Sequence, residues 1–268
     1  MAKLTTFEVG YCRHPGCMAL KGAAWKSCRF PARAWLIEAN GRRWLWDTGY
    51  AEHFERYTRR GLSHIYALTT PVRFDPAEAL VHQLAQQGLR PSDIQGLIVS
   101  HFHGDHIAGL RDFPNIPAIC SATAWQSTRG LTGFAALKRA FVPELIPNDF
   151  DHTLSFMEAF DTVALPPELA PFTHAYALPG SHREVLLVPL PGHAAGHIGA
   201  FVQTHTGWTL LASDAAWSPT SYREPRGPSR LAHLIMDDTA AYYRTLDRLH
   251  QLHKGGQVSI LLCHEGDL

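Results

Sequence analysis

Gly96-Leu97-Ile98-Val99-Ser100-His101-Phe102-His103-Gly104-Asp105-His106 joins a short apolar run to four side chains of metal-ligand type. Residues 96–100 are too few for a helix and read as a buried strand, which delivers the chain directly into His101. The following loop can curl His101, His103, Asp105 and His106 around one point, because a strand-to-loop exit places consecutive polar side chains at the edge of a sheet.

Upstream, residues 34–39 and 42–46 form a hairpin about Asn40-Gly41, a pair suited to the positive φ angles of a type I′ turn, and Asp47-Thr48-Gly49 follows. Asp75-Pro76 then opens a helix with Leu80, Val81 and Leu84 on its apolar stripe, closed by Gly88. Downstream, residues 117–120 read as a strand and Ser121 as the N-cap of a helix running towards Thr128. Residues 129–182 carry many prolines and no clear period, so they are expected as an elaboration over the core, outside any regular layer.

Strands return at residues 185–190, ending in Pro191-Gly192-His193, at 198–203, and at 208–213, leading to Asp214. Asp237 and Asp238 open a helix with Tyr242, Leu246, Leu249 and Leu252 on one face, closed by Gly255-Gly256. A last strand, 257–263, ends at His264. Strands then helix, twice over, point to a pseudo-duplicated layered α/β (α+β) fold, read as one domain over 1–268.

His193, Asp214 and His264 thus share with His101 a place at the C-terminal end of a strand, and one edge of the sheets would collect all seven groups. Imidazoles and carboxylates without thiolates suit zinc, and also iron, manganese or cobalt. Seven donors are too many for one tetrahedral ion. Two ions sharing a carboxylate need about this number and hold a bridging hydroxide that attacks a polarised carbonyl or phosphoryl group, so hydrolysis is the expected chemistry.

Composition narrows the alternatives. Of 268 residues, 46% are apolar and 18% charged, as in ordinary globular proteins. Lys plus Arg equals Asp plus Glu at 24 each, without the basic excess of a nucleic-acid binder. No leader-like segment opens the chain and no run of eighteen apolar residues occurs, so a cytoplasmic protein without membrane association is expected. Five irregularly spaced cysteines read as reduced thiols; Cys12 and Cys17 have no second pair to complete a zinc cage. No Gly-x-Ser-x-Gly elbow offers a serine nucleophile.

The sequence resembles the metallo-β-lactamase superfamily: His-x-His-x-Asp-His at 101–106, Asp-Thr-Gly at 47–49, and Pro-Gly-His followed by Gly-His at 191–197. The resemblance implies a four-layer αββα sandwich. It implies one metal held by His101, His103 and His193, a second by Asp105, His106 and His264, and Asp214 bridging the two. His197 competes with His193, and the resemblance favours His193 for the ion with His197 supporting it. Asp47 is expected to hydrogen-bond backbone near the ligand loop.

Within that superfamily the chain is most similar to N-acyl-homoserine lactonases, which implies a small-molecule lactone substrate, quorum quenching and a homodimer; thioesters or phosphodiesters are the alternative substrates. Asp214 and Asp105 are the candidate catalytic carboxylates, with Asp105 passing a proton to the leaving group. Similar lactonases carry a tyrosine three residues after the bridging aspartate, and here that position is Trp217; its indole donates a hydrogen bond but has no phenolic proton. Tyr222 is the alternative substrate contact on the same loop. Met18, Leu20, Trp25 and Phe30, with Phe134, Phe141, Phe150 and Phe156, form a candidate acyl-chain lining.

Overall fold

Two sheets lie at the centre of the protein, and the computed structural model describes residues 1–265. The seven-stranded sheet runs, edge to edge, Val72–Arg73, Lys3–Pro15, Ser27–Ala39, Arg42–Trp46, Gly96–Ile98, Ala118–Cys120 and Leu154–Phe156. The six-stranded sheet runs Val258–Leu262, Gly207–Ser213, Ile198–Thr204, Val185–Pro189, His174–Ala177 and Thr162–Ala164.

Period-two alternation makes each central strand two-faced. In Ser27–Ala39, Ala34 and Leu36 join the core under the outer helices, whereas Trp35 and Ile37 join the core between the sheets. In Gly207–Ser213, Leu211 faces the same inter-sheet core while Leu210 and Ala212 face the helix Thr239–Gly255 through Leu246 and Leu249. Three apolar cores separating four layers are the αββα sandwich expected from the sequence.

The Asn40-Gly41 turn is as read, with φ of 48° and 70°, and pairs Ala39 with Arg42. The expected helix after Asp75 is broken: a 3-10 turn, Pro76–Glu78, precedes the helix Leu80–Gln86, because Ala79 takes an extended ψ of 138° between them. Residues 129–182, expected outside the layers, extend both sheets through Leu154–Phe156, Thr162–Ala164 and His174–Ala177. At three or four residues each, these strands are too short to show a period. Among the described residues no helix is long and apolar enough to cross a membrane.

Strand direction positions the site. Arg42–Trp46 and Gly96–Ile98 are parallel, so Asp47 and the 101–106 loop leave the first sheet at one edge. Gly207–Ser213 and Val258–Leu262 are also parallel, and Val185–Pro189 runs the same way two strands across, so His193, Asp214 and His264 leave the second sheet together.

Candidate metal centre

The strand exits turn abruptly. Asp47 and Ser213 sit in the left-handed region, with φ of 56° and 44°, a conformation costing roughly 1–3 kcal/mol for a non-glycine residue unless its surroundings hold it. They are held: the Asp47 N–H donates to Ile98 O at 2.8 Å, and Ser213 O accepts from Cys263 N–H at 3.1 Å. Gly192, at φ 129°, lets the His193 turn press on the long C-terminal helix; a Cβ there would stand 2.1 Å from Tyr242 N.

Two donor groups result. His101, His103 and His193 present ring nitrogens all within 4.8 Å of one another, and His193 Nε2 lies 3.0 Å from His103 Nδ1. His106, Asp214, Cys263 and His264 form a second group of the same span. Asp105 Oδ2 joins it, 3.0 Å from His264 Nε2 and 3.8 Å from His106 Nε2. Asp214 touches both: its Oδ2 is 3.3 Å from His193 Nε2 and from His264 Nε2, and its Oδ1 is 3.3 Å from His106 Nε2. The structure therefore brings together all seven residues singled out as ligands, every one of them buried.

Hydrogen bonds on the far side of the rings aim the near side inward. The Ser100 hydroxyl donates to Asp47 Oδ2 at 2.7 Å, so its oxygen accepts from His101 Nδ1–H at 3.1 Å and leaves His101 Nε2 with a free lone pair. His106 Nδ1–H donates to the same Asp47 oxygen at 2.8 Å, and His264 Nδ1–H to Pro31 O at 2.6 Å. Asp47 also accepts from the Ser100 N–H at 2.8 Å, as expected of a carboxylate that fixes the loop. His197 spends both nitrogens on backbone: Nδ1–H donates to Leu190 O at 2.8 Å, and Nε2 accepts from Asp214 N–H at 3.3 Å.

The donor set fits divalent cations. Among the described residues, His101 Nε2, His106 Nε2, His193 Nδ1 and Asp214 Oδ1 are buried without a hydrogen-bond partner, a condition costing about 1–3 kcal/mol per group if nothing else satisfies them. A cation within each group would take the lone pair of His101 Nε2 and of Asp214 Oδ1, and that of His106 Nε2 once its proton has left. Cys263 was not anticipated here, yet its Sγ accepts from Arg33 N–H at 3.3 Å and donates to Arg33 O at 3.5 Å, which ties it to backbone.

Electrostatics differ across the site. Burial pushes His103 down to about 4 and holds His101 and His193 well below the ordinary imidazole value, so all three are neutral, ligand-ready rings at neutral pH. Burial acts the same way on His106, but Cys263, Asp47, Asp105 and Asp214 outweigh it and raise that ring well above its ordinary value. His264 is likewise raised against burial, by Asp214 and Cys263 and by its hydrogen bonds to Asp105 and Asp214. In return, and against their own burial, Asp105 is held low chiefly by His106 and His264, and Asp214 by His264, His106 and His193.

A cavity of about 170 Å³ opens on this edge, with His103, Asp105, His193, Asp214 and His264 as its floor. Of the candidate acyl lining, Met18 and Phe30 border it. Leu20, Phe141 and Phe150 are buried elsewhere, Phe156 packs on the core of the first sheet, and Trp25 and Phe134 are 74% and 71% exposed. Trp217 also borders the cavity, but its indole N–H donates to Asp214 Oδ2 at 2.9 Å. Tyr222 does not reach the cavity: it packs in the core under the second sheet, its ring 5.4 Å from His253.

Among the lining residues not singled out as site residues from sequence, Cys12, His14 and Tyr66 carry titratable groups. Cys12 and His14 lie two apart on Lys3–Pro15, and period two would have put them on one face had that strand been read. Burial pushes the Cys12 thiol up to about 12, which keeps it protonated, and lowers His14, with His264 adding to the effect. Tyr66, on the helix Ser63–Thr69, carries no local motif; its ring stacks edge-on to Phe54 at 5.5 Å and closes over Gly104, where a Cβ would lie 3.1 Å from Tyr66 Cε1. A glycine beside Asp105 is what admits this phenol to the wall.

Comparison with known proteins agrees with the architecture. Residues 29–254 match the family described as the Metallo-beta-lactamase superfamily. The chain is 28% identical over 243 residues to a "Probable metallo-hydrolase" of Mycobacterium tuberculosis, covering 87% of this chain and 74% of that protein. It is 27% identical over 246 residues to the N-acyl homoserine lactonase AiiB of Agrobacterium fabrum, covering 88% and 79%. Among solved structures, a mutant of B. thuringiensis AiiA with N-decanoyl-L-homoserine bound at the active site superposes with a TM-score of 0.72 at 19% identity, over 98% of this chain and 93% of that one. AidC, a dizinc quorum-quenching lactonase, superposes with 0.67 at 14% identity, over 98% and 87%.

Proposed function

Because this chain belongs to the metallo-beta-lactamase superfamily and is a metal-dependent hydrolase, we propose that it works with two divalent ions, zinc first among them, and opens N-acyl-homoserine lactones or related small lactones. The observation that carries the two-ion reading is Asp214, whose Oδ2 stands 3.3 Å from a ring nitrogen of each donor group. His101, His103 and His193 would hold one ion, Asp105, His106 and His264 the other, with Asp214 shared. When bound, the pair supplies an acidified water as nucleophile and polarises the substrate oxygen.

The protein's own residues do the rest. Ser100, Asp47 and the Pro31 carbonyl fix the orientation of the His101, His106 and His264 rings from their far sides. Asp105, at 8% exposure against 3% for Asp214, is the carboxylate more open to the cavity and the one placed to hand a proton to a leaving oxygen. Met18, Ala19, Phe30 and Leu137 give the cavity an apolar wall beside that polar floor, matching a substrate with an ester group at one end and an acyl chain at the other. Two named lactonases among the relatives and the superposed structures support the same substrate class.

The test is a rate panel on zinc-loaded protein, with an acyl-homoserine lactone, an acyl thioester and bis-nitrophenyl phosphate, alongside metal analysis. The expected outcome is about two ions per chain, as a two-metal site requires, and the highest kcat/KM on the lactone. A higher value on the phosphodiester or the thioester would move the assignment to that substrate; fewer than one ion per chain would remove the metal reading altogether.

A further inference from the structure

We infer that Trp217 is a positioning residue for the metal centre, its indole holding the one carboxylate and one of the imidazoles through which the two donor groups meet. This rests on the proposed two-ion reading. The indole Nε1–H donates to Asp214 Oδ2 at 2.9 Å, and that oxygen is the one 3.3 Å from both His193 Nε2 and His264 Nε2. The same ring stands edge-on to His193, with centroids 5.3 Å apart and planes at 84°. One side chain therefore contacts a member of each group.

The physical need is specific. The terminal torsion of an aspartate is soft, so the plane of the carboxylate has little intrinsic preference for how it is turned between its neighbours. An indole has a single donor in the plane of a rigid ring and no acceptor, so it draws one carboxylate oxygen towards itself and turns the other away. With Nε1–H on Oδ2, Oδ1 is left facing His106. The indole is itself immobilised: Trp217 is 8% exposed and packs with Cys12, Ala19, Cys28, Phe30 and Ala232. The following residue, Ser218, caps the helix Pro219–Arg223 by accepting from Thr220 N–H at 3.2 Å, which pins the loop from the other side. A donor committed to Asp214 is not available to a substrate carbonyl, so position 217 acts on the reaction through the ligands.

Trp217→Phe keeps a ring against His193 and removes the N–H. Zinc affinity of the full-length apo protein, measured by competition with a chromophoric chelator, is expected to weaken about 10–100-fold, as when a hydrogen-bonding partner behind a metal ligand is lost. Cys28→Ala, which loosens the same packing cluster and leaves the indole N–H in place, is expected to lower the apo melting temperature without changing zinc affinity. Equal affinity in wild type and Trp217→Phe, or a matching loss in Cys28→Ala, overturns the role of Trp217 and leaves the two-ion reading standing. A wild-type chain that takes up no zinc overturns both. Should Trp217→Phe fail to fold, the wild-type indole Nε1–H resonance, assigned through its proximity to His193, is expected to shift on zinc addition; a resonance that does not respond overturns the role.

Discussion

The two donor groups are built from the same kind of residue and lie against each other, yet they are held ready in opposite ways. His101, His103 and His193 meet without a carboxylate of their own, and burial, aided by the neighbouring imidazoles, outweighs the nearby carboxylates and leaves the rings neutral. His106 and His264 meet around Asp105 and Asp214, and Cys263 together with the carboxylates reverses the effect of burial. Ion pairs of His264 with Asp105 and Asp214 hold the second group together, yet among the described residues His106 Nε2 and Asp214 Oδ1 have no hydrogen-bond partner; in the first, His193 and His103 share a hydrogen bond and His101 Nε2 is left without one. Asp214 is where the two descriptions join.

Removing that joint is expected to have the largest effect. Asp214→Ala should abolish turnover and reduce bound metal from about two ions to one at most, since a two-metal site needs its shared carboxylate. Metal analysis with a hydrolysis assay measures this, and retention of two ions with substantial turnover would break the description of Asp214 as shared. Asp105→Asn sharpens the second group alone. It is expected to lower kcat on the order of 10²-fold, the low end for a lost general acid, with two ions still bound. Two bound ions and undiminished turnover would exclude Asp105 from proton transfer.

The smallest effect is on the stability of the metal-free protein. His103 is held at about 4 against an ordinary 6.5, so the unfolded chain takes up the proton first. Its contribution is fully present above about pH 6.5 and is lost as pH falls towards about 4, with His101 and His193 acting in the same direction. His106 and His264 work oppositely, stabilising below their ordinary value and losing that contribution only as pH rises through their raised ones. Chelator-treated protein is therefore expected to lose on the order of 1–3 kcal/mol between pH 7 and pH 5, read from the midpoint of urea unfolding. A midpoint that climbs on acidification would show that the second group dominates the first.

Much of this architecture was legible in local pattern. A short apolar run such as residues 96–100 reads as a strand, and Gly96–Ile98 is one; Asn40-Gly41 suits a tight hairpin turn, and ligand-type residues immediately after strands mark a common edge. Those signals act over a few residues, where backbone sterics and side-chain period decide the outcome. They fail at Leu154–Phe156, Thr162–Ala164 and His174–Ala177, whose strand character comes from neighbours already in the sheet. They fail also at Tyr222, whose place on the loop after Asp214 says nothing of its burial against His253.

From sequence alone, then, came the seven donors, the strand ends that carry them and the hydrolytic chemistry they imply, because spacing along the chain constrains which side chains leave a sheet together. Tertiary structure alone decided the state of those residues: which imidazoles are left neutral, which are raised by Cys263 and the carboxylates, and that the indole of Trp217 is bound to Asp214. Charge state and hydrogen-bond direction depend on distances of about 3 Å between residues remote in the chain, as between His193 and His103 at 3.0 Å, and only packing sets those.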